Sequence, residues 1–302
     1  MTRTAKRNRG EYLTFYVFML PAVLFIVFFI LIPMIQSLVL PFFRWKGYGE
    51  LTFIGLRNFE NMFVRDVHFW TALKNSLLFA LFATAGTVII GFVLAVLIDF
   101  KIRFWATYRF LFFLTVTISV VVTGMLWVKI LDPFGVLNTL LDLIGLEHMQ
   151  QVWLGNVGTA LPAIIATTVW QYSGFTMIFL LAGMQAIDLE LYESARIEGA
   201  SRFRTVFAIT IPLLKHVFAV IVMLQLIFSF KVFDQVWVMT RGGPAGATEV
   251  LGTHLYKDAF RLVRFGYGSV IASIMFFVSL VFSLVYIRVS GYAQMLGRNR
   301  NK

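Results

Sequence analysis

The residues from Tyr12 to Met34 include no charged side chain. Such a run fits poorly in a water-soluble core, because a span of about 20 apolar residues is what crosses the roughly 30 Å of bilayer hydrocarbon. The pattern recurs over 75–98, 110–128, 159–186, 217–230 and 265–287, each free of Asp, Glu, Lys and Arg. The chain is 59% hydrophobic and 14% charged, against about 45–50% and 25% in soluble domains. The expected fold is all-α: a polytopic membrane protein with six transmembrane helices at about 12–34, 75–98, 110–130, 159–186, 213–239 and 265–288. A single membrane domain over 12–290 is flanked by tails at 1–11 and 291–302. The first run is too long for a signal-peptide core and ends in no small-x-small cleavage site, so it reads as a retained helix.

Six spans put both termini on one side. The tail with Arg3, Lys6, Arg7 and Arg9, the turn with Lys101, Arg103 and Arg109, the stretch 188–212 and the basic C-terminal tail share that side. They are short and dense in Lys and Arg, which places them in the cytoplasm. The opposite loops are longer, and 132–158 carries no Lys or Arg. The net charge of +11 therefore reads as orientation and contact with lipid head groups, not as a nucleic-acid surface.

Several chemistries are missing. Zero cysteines exclude disulfides, thiolate catalysis and Cys-based metal sites. No GxxxxGK[ST] loop is present to cradle ATP phosphates. His68, His148, His216 and His254 are scattered without metal-ligand spacing, and no nucleophile elbow occurs. No catalytic residue and no metal ligand is assigned. Polar groups do interrupt the later spans. Gln171 and Tyr172 sit in the fourth; Gln225, Ser229 and Phe230 sit in the fifth, with Lys231 and Asp234 just beyond. Aromatic faces, amides and hydroxyls recognise sugars, so these five form a candidate substrate path. Interhelical hydrogen bonds, worth about 0.6 kcal/mol on average, account for them equally well. For Lys231 and Asp234 a boundary ion pair is the preferred reading, since a Lys at the membrane centre costs about 2.5–3.5 kcal/mol.

The stretch 188–212 differs from everything around it. Ser194, Ala195, Gly199 and Ala200 are small enough for another backbone to approach. Tyr192, Ala195 and Gly199 share one helical face. Ser201 suits the N-cap of a second short helix, and Pro212 the first turn of the fifth span. An ordinary amphipathic connector would also satisfy this pattern.

The spacing Glu193-Ser194-Ala195-x3-Gly199-x9-Ile209-x-Ile211-Pro212 closely resembles the EAA-x3-G-x9-I-x-L-P motif of ABC importer membrane subunits. It departs only at Ser194 and Ile211. Phe53-Ile-Gly-Leu-Arg-Asn-Phe59 is similar to the FxGLxNF signature of carbohydrate-type permeases. Asp132-Pro-Phe-Gly-Val-Leu-Asn138 and Leu181-Ala-Gly-Met-Gln-Ala-Ile187 resemble two more of their segments, with Asp188 where Pro is common. Phe233-Asp234, Thr240-Arg-Gly-Gly-Pro244 and Thr248 resemble the FD…TxGGPxxxT segment of the first of two permease types in sugar and glycerol-phosphate importers. The matches run from about Leu20 to Gly268. Thr115 stands where such permeases often have Pro, so no proline kink carries over to that point.

The resemblance implies a permease subunit of a binding-protein-dependent ABC importer, moving a sugar, oligosaccharide or related polyol across the cytoplasmic membrane of a bacterium or archaeon. It implies that Tyr192, Glu193, Ser194, Ala195, Gly199, Ala200, Ile209 and Pro212 form a coupling helix seated on an ATPase. That ATPase is a homodimer or heterodimer holding ATP and Mg, while this chain carries no cofactor. A second, different permease and an extracytoplasmic solute-binding protein complete the set, the latter docking at Gly242, Gly243 and Pro244. The rival readings are an ion-gradient-driven secondary transporter and a non-transporting membrane scaffold or enzyme.

Overall fold

The computed structural model describes residues 9–289; most of the two basic tails lies outside that range. The described chain is helical apart from loops and one two-stranded antiparallel ribbon. Four helices are long and apolar enough to cross a membrane, or six if each of two bent pairs is one span. In chain order they are α1 (Thr14–Phe42), α2 (Val67–Asp99), the pair α3 (Trp105–Thr117) and α4 (Val120–Ile130), and α6 (Ala160–Gln185). The pair α8 (Arg202–Leu213) and α9 (Lys215–Phe230) follows, then α12 (Phe265–Val289). Shorter elements are α5 (Val136–Leu143), α7 (Leu189–Ile197), α10 (Asp234–Met239) and α11 (Leu251–Tyr256). The ribbon pairs β1 (Phe43–Arg44) with β2 (Thr52–Phe53).

Two spans differ from the expected continuous helices. The third breaks at Ile118-Ser119, where the chain becomes extended and α3 and α4 diverge by 103°. No proline is needed. The Thr115 and Thr117 hydroxyls donate back to the carbonyls of Phe112 and Leu114, both at 2.8 Å, a habit that bends helices. The fifth span ends at Phe230, well short of Met239, and a non-helical turn separates it from α10. Its N-terminal end bends by 70° between Leu213 and Lys215. Pro212 lies just before that bend, after a π-turn over Val206–Thr210. It sits at the end of α8 and not in the first turn of α9. A proline has no N–H for the preceding turn, which is why helices bend there.

The axis of the bundle is the α2–α6 pair. Helices in lipid gain little from hydrophobic burial against each other, so small residues that allow close packing set the contact. A Cβ on Gly91 would lie 2.6 Å from Thr176, and one on Gly86 2.6 Å from Val169. Alanines 80, 83 and 95 of α2 are buried on the same helix. At Gly174 α3 approaches from the other side, so that a Cβ there would meet the Phe112 carbonyl oxygen at 1.9 Å. Three apolar clusters line this axis. One holds Met177, Leu180, Leu214 and Ile221; a second holds Phe79, Leu161, Ile164 and Val236; a third holds Met62, Phe69, Phe230 and Ile271. By contrast α1 is almost bare: its most apolar 18-residue stretch buries nothing within the chain.

Loops are fixed by asparagines. Asn58 Nδ2 donates to the carbonyls of Pro41 (2.8 Å) and Phe43 (3.0 Å). Asn138 Nδ2 donates to Pro133 and Gln151, each at 3.0 Å, and its Oδ1 accepts from Trp153 Nε1 at 2.8 Å. Asn75 Nδ2 reaches the carbonyls of Ala247 (3.1 Å) and Glu249 (2.9 Å). Two of these three belong to the motif segments noted above, whose asparagines thus hold backbone in place.

Candidate functional site

A cavity of about 370 Å³ opens between α2, α3, α4, α6 and α9. Tyr172, midway along α6, lines it with Thr168 and Phe175; Gln225, Phe228 and Ser229 line it from α9. Gln225 is oriented by donating to Thr176 Oγ1 at 3.1 Å. The wall is aromatic and apolar with a few amides and hydroxyls, the usual make-up of a small-molecule site.

Three of the five sequence candidates, Tyr172, Gln225 and Ser229, meet here. Two do not. Gln171 is fully buried and its Nε2 donates to the Ile118 carbonyl at 2.9 Å. That carbonyl is freed by the break in the third span, so Gln171 caps the broken end. Phe230 is also fully buried and packs edge-on against Phe282 in the cluster with Met62 and Phe69.

The turn after α9 brings in Lys231 and Asp234, expected as a boundary ion pair, and Gln235. Lys231, Asp234 and Gln235 all line the cavity. The expected Lys231–Asp234 ion pair is absent: among the described residues neither joins a salt bridge. The early end of α9 explains this, since Lys231 leaves from the turn and Asp234 from the start of a separate helix, not from one helical face. Gln235 is 2% exposed, and its Oε1 has no hydrogen-bond partner. A buried acceptor without a donor costs about 1–3 kcal/mol. Periodicity does not reveal this wall, because Lys231 and Asp234 mark the end of the apolar run without showing which way the chain turns there.

A second, wider cavity of about 1030 Å³ lies at the far side of α10, where Thr240, Arg241, Gly242 and Gly243 face Arg44, Lys46 and Asp66. Its floor is an ion network. His254 Nε2 lies 3.0 Å from Asp66 and 3.5 Å from Asp258. Tyr267 donates to Asp66, and Arg264 pairs with Asp258. The Asp66, His254 and Asp258 polar atoms fall within 4.8 Å of one another, a grouping that the scattered histidines do not announce in sequence. Tyr267 and Arg264 already engage the carboxylates, the first by a hydrogen bond to Asp66 and the second by an ion pair to Asp258. Burial pushes the Asp66 carboxyl up, but the Tyr267 hydroxyl, the His254 charge and the Phe69 N–H outweigh it and hold the group below its ordinary value. That contribution to stability is present above the ordinary carboxylate range and is lost as pH falls through the lowered value.

The Gly242-Gly243-Pro244 turn forms one edge of this cavity, although Pro244 does not line it. The Thr248 hydroxyl donates to the Gly243 carbonyl at 2.7 Å and lies 2.6 Å from the Thr240 hydroxyl. Gly242 has φ +91° and a Cβ would strike the Glu249 carboxylate. These contacts give Thr240, Gly242, Gly243 and Thr248 of the pattern a mechanical reason.

At the other end of the bundle, α7 and α8 form an arm. Asp188 caps α7 by accepting from the Glu190 N–H at 3.1 Å, and Ser201 caps α8 by accepting from the Arg204 N–H at 3.3 Å. Ala200 N–H reaches the Ala195 carbonyl (2.9 Å) and Gly199 N–H reaches that of Arg196 (3.0 Å), the double bond of a Schellman turn. Gly199 sits at its left-handed position, φ +77°, and a Cβ there would meet nothing within 4 Å. Tyr192 ties the arm back through its hydroxyl, 3.1 Å from that of Thr210. Ala195 is buried; Glu193, Ser194, Gly199 and Pro212 are exposed; Ala200 and Ile209 are half-buried. The exposed side also carries Ile197, 88% exposed, and Phe203, 71% exposed.

The profile of the binding-protein-dependent transport system inner membrane component family matches residues 87–291. A probable ABC transporter permease protein of Pyrococcus horikoshii is 38% identical over 89% of this chain and 93% of its own length. The trehalose/maltose transport system permease protein of Thermococcus litoralis is 30% identical over 96% and 97%. A solved bacterial alginate ABC transporter, in complex with an alginate pentasaccharide-bound periplasmic protein, superposes with a TM-score of 0.82 at 25% identity, covering 96% of this chain and 97% of that one. By the length of the profile match and the identity to these relatives, the chain belongs to the inner membrane component family of binding-protein-dependent transport systems, the permeases of ABC transporters.

Proposed function

We propose that this permease moves a sugar, oligosaccharide or related polyol inward across the cytoplasmic membrane of a bacterium or archaeon. The observation that carries this reading is the 370 Å³ cavity midway along α6, walled by Tyr172, Gln225, Ser229 and the orphaned Gln235 acceptor. Such a wall offers an aromatic face and hydrogen-bond partners for hydroxyls. The saccharides named for the Thermococcus permease and the alginate transporter support the same substrate class.

In this reading the two bent pairs each cross the bilayer once, giving six spans with both termini in the cytoplasm. A single permease domain covers 12–290. The arm 188–212 is the coupling element. Glu193, Ala195 and Gly199 seat it on an ATPase pair that supplies ATP and Mg, and a second permease completes the membrane path. Closure of the ATPases moves the arm as a lever, and the bundle opens outward to take substrate from a solute-binding protein docked at the Gly242–Pro244 edge.

Two measurements test this. The chain, purified in mild detergent with the products of its neighbouring genes, should carry an ATPase; its absence would overturn the importer reading. In proteoliposomes, Tyr172→Ala and Gln225→Ala should each lower uptake about tenfold, the worth of one lost hydrogen bond or stacking contact, with assembly unchanged. Parental uptake kinetics in both variants would remove the cavity from the substrate path.

A further inference from the structure

The wide cavity beside α10 carries an excess of positive charge that the importer reading does not use. Six cations line it: Arg44, Lys46, Arg65, Arg241, Lys257 and Arg264. Three carboxylates, Asp66, Glu249 and Asp258, oppose them. Each carboxylate is already engaged, Glu249 by Lys257, Asp258 by Arg264 and His254, and Asp66 by His254 and Tyr267. Arg65 has only a distant partner in Glu60, at 4.0 Å. Among the described residues, Arg44, Lys46 and Arg241 have no ion pair, and all three are exposed.

The arrangement of these three distinguishes what they serve. A site for a small anion buries its cations around one point. Here the buried carboxylates Glu249 and Asp258 are already paired with Lys257 and Arg264, and the free cations stand exposed on two separate walls, the β1–β2 ribbon and the turn after α10. The space between them, about 1030 Å³, is at the upper end of small-ligand pockets. Trp45 lines the same space, and Trp and Arg are the side chains that most often anchor protein interfaces. Both walls are held firmly, the ribbon by Asn58 and the turn by Asn75 and Thr248. A rigid, concave, cationic surface with an aromatic wall fits a projecting acidic element of another protein. It also steers such a partner electrostatically during approach.

We propose that this cavity receives an acidic projection of the solute-binding protein, with Arg44, Lys46 and Arg241 pairing to its carboxylates. The proposal rests on the importer reading and sharpens the docking edge at Gly242 and Gly243 into a socket of defined charge. The test is the affinity of the solute-binding protein for the complete transporter in nanodiscs, measured across a salt series. The Lys46→Glu/Arg241→Glu double variant should bind at least tenfold more weakly at low salt and show a flatter salt dependence. Lys46→Gln/Arg241→Gln should fall between it and the parent. Arg103→Glu, a reversal at the opposite end of the bundle, should bind like the parent and shows that total charge is not the cause. Parental affinity and salt slope in both double variants, with the complex intact by size exclusion, would overturn the socket alone. A parent transporter that never binds the solute-binding protein would overturn the importer reading beneath it.

Discussion

Gly199→Val should leave the chain inserted and the transporter assembled but cut substrate uptake at least tenfold, while ATP hydrolysis continues. The reason lies in the backbone. Gly199 holds φ +77°, a conformation that costs an L-residue about 1–2 kcal/mol and a β-branched one more. The space around it is open within this chain, so no clash stops the protein from folding. What gives way is the Schellman turn that aims α7 relative to α8. On the coupling proposed above, an arm of wrong pitch can touch an ATPase and still fail to transmit closure. Gly199→Asn separates the two possible causes, since Asn tolerates the left-handed region. Retained uptake in the Asn variant assigns the effect to the turn; loss as severe as in Val assigns it to packing against the partner. Normal uptake in the Val variant, measured in vesicles, would remove the coupling role of this turn.

Gly174→Val should prevent recovery of folded transporter altogether. An added Cβ would sit 1.9 Å from the Phe112 carbonyl oxygen. Backbone on both sides of the contact cannot swing aside as a side chain would. The cost exceeds the roughly 1–3 kcal/mol usual for an overpacked core, and α3 would have to leave α6. That in turn removes the bond from the Thr115 hydroxyl to the Gln171 carbonyl, 3.0 Å, and pulls the Ile118 carbonyl away from Gln171. Gly158→Ala is the matched control, because its added methyl meets nothing closer than 3.6 Å. Fluorescence-detected size exclusion should show a single parental peak for Gly158→Ala and aggregate for Gly174→Val. A parental peak for Gly174→Val would show that the two helices separate freely.

Both residues illustrate what the sequence discloses. Gly199 is visible as one term of a long motif, and Ser201 is visible as a cap, because capping depends on a few neighbouring residues. Charge-free runs likewise announce helices, since lipid demands them whatever packs alongside. Gly174 is invisible, because its meaning is set by Phe112, which comes from another helix. Breaks within spans are hidden for a related reason. Apolar periodicity runs unbroken through Ile118-Ser119, and nothing local signals that Gln171, more than fifty residues on, will satisfy the freed carbonyl. Lys231 and Asp234 look like a helical i, i+3 pair only if the helix continues. It stops at Phe230, and the charges turn into the cavity unpaired.

The bareness of α1 also sets a timetable. Asn58 ties its end at Pro41 early, but its contact with α12 is late: the Ser273 hydroxyl reaches the Ser37 carbonyl at 3.4 Å, across 236 residues of sequence. At about 5–20 residues per second of synthesis, this delay is on the order of 10–50 s. For that interval the first span stands in the bilayer with its α12 support not yet made. Lipid alone must keep it helical while the α2–α6 axis assembles beside it. Its charge-free sequence, more apolar than the other three unbroken spans, suits a helix that has to wait.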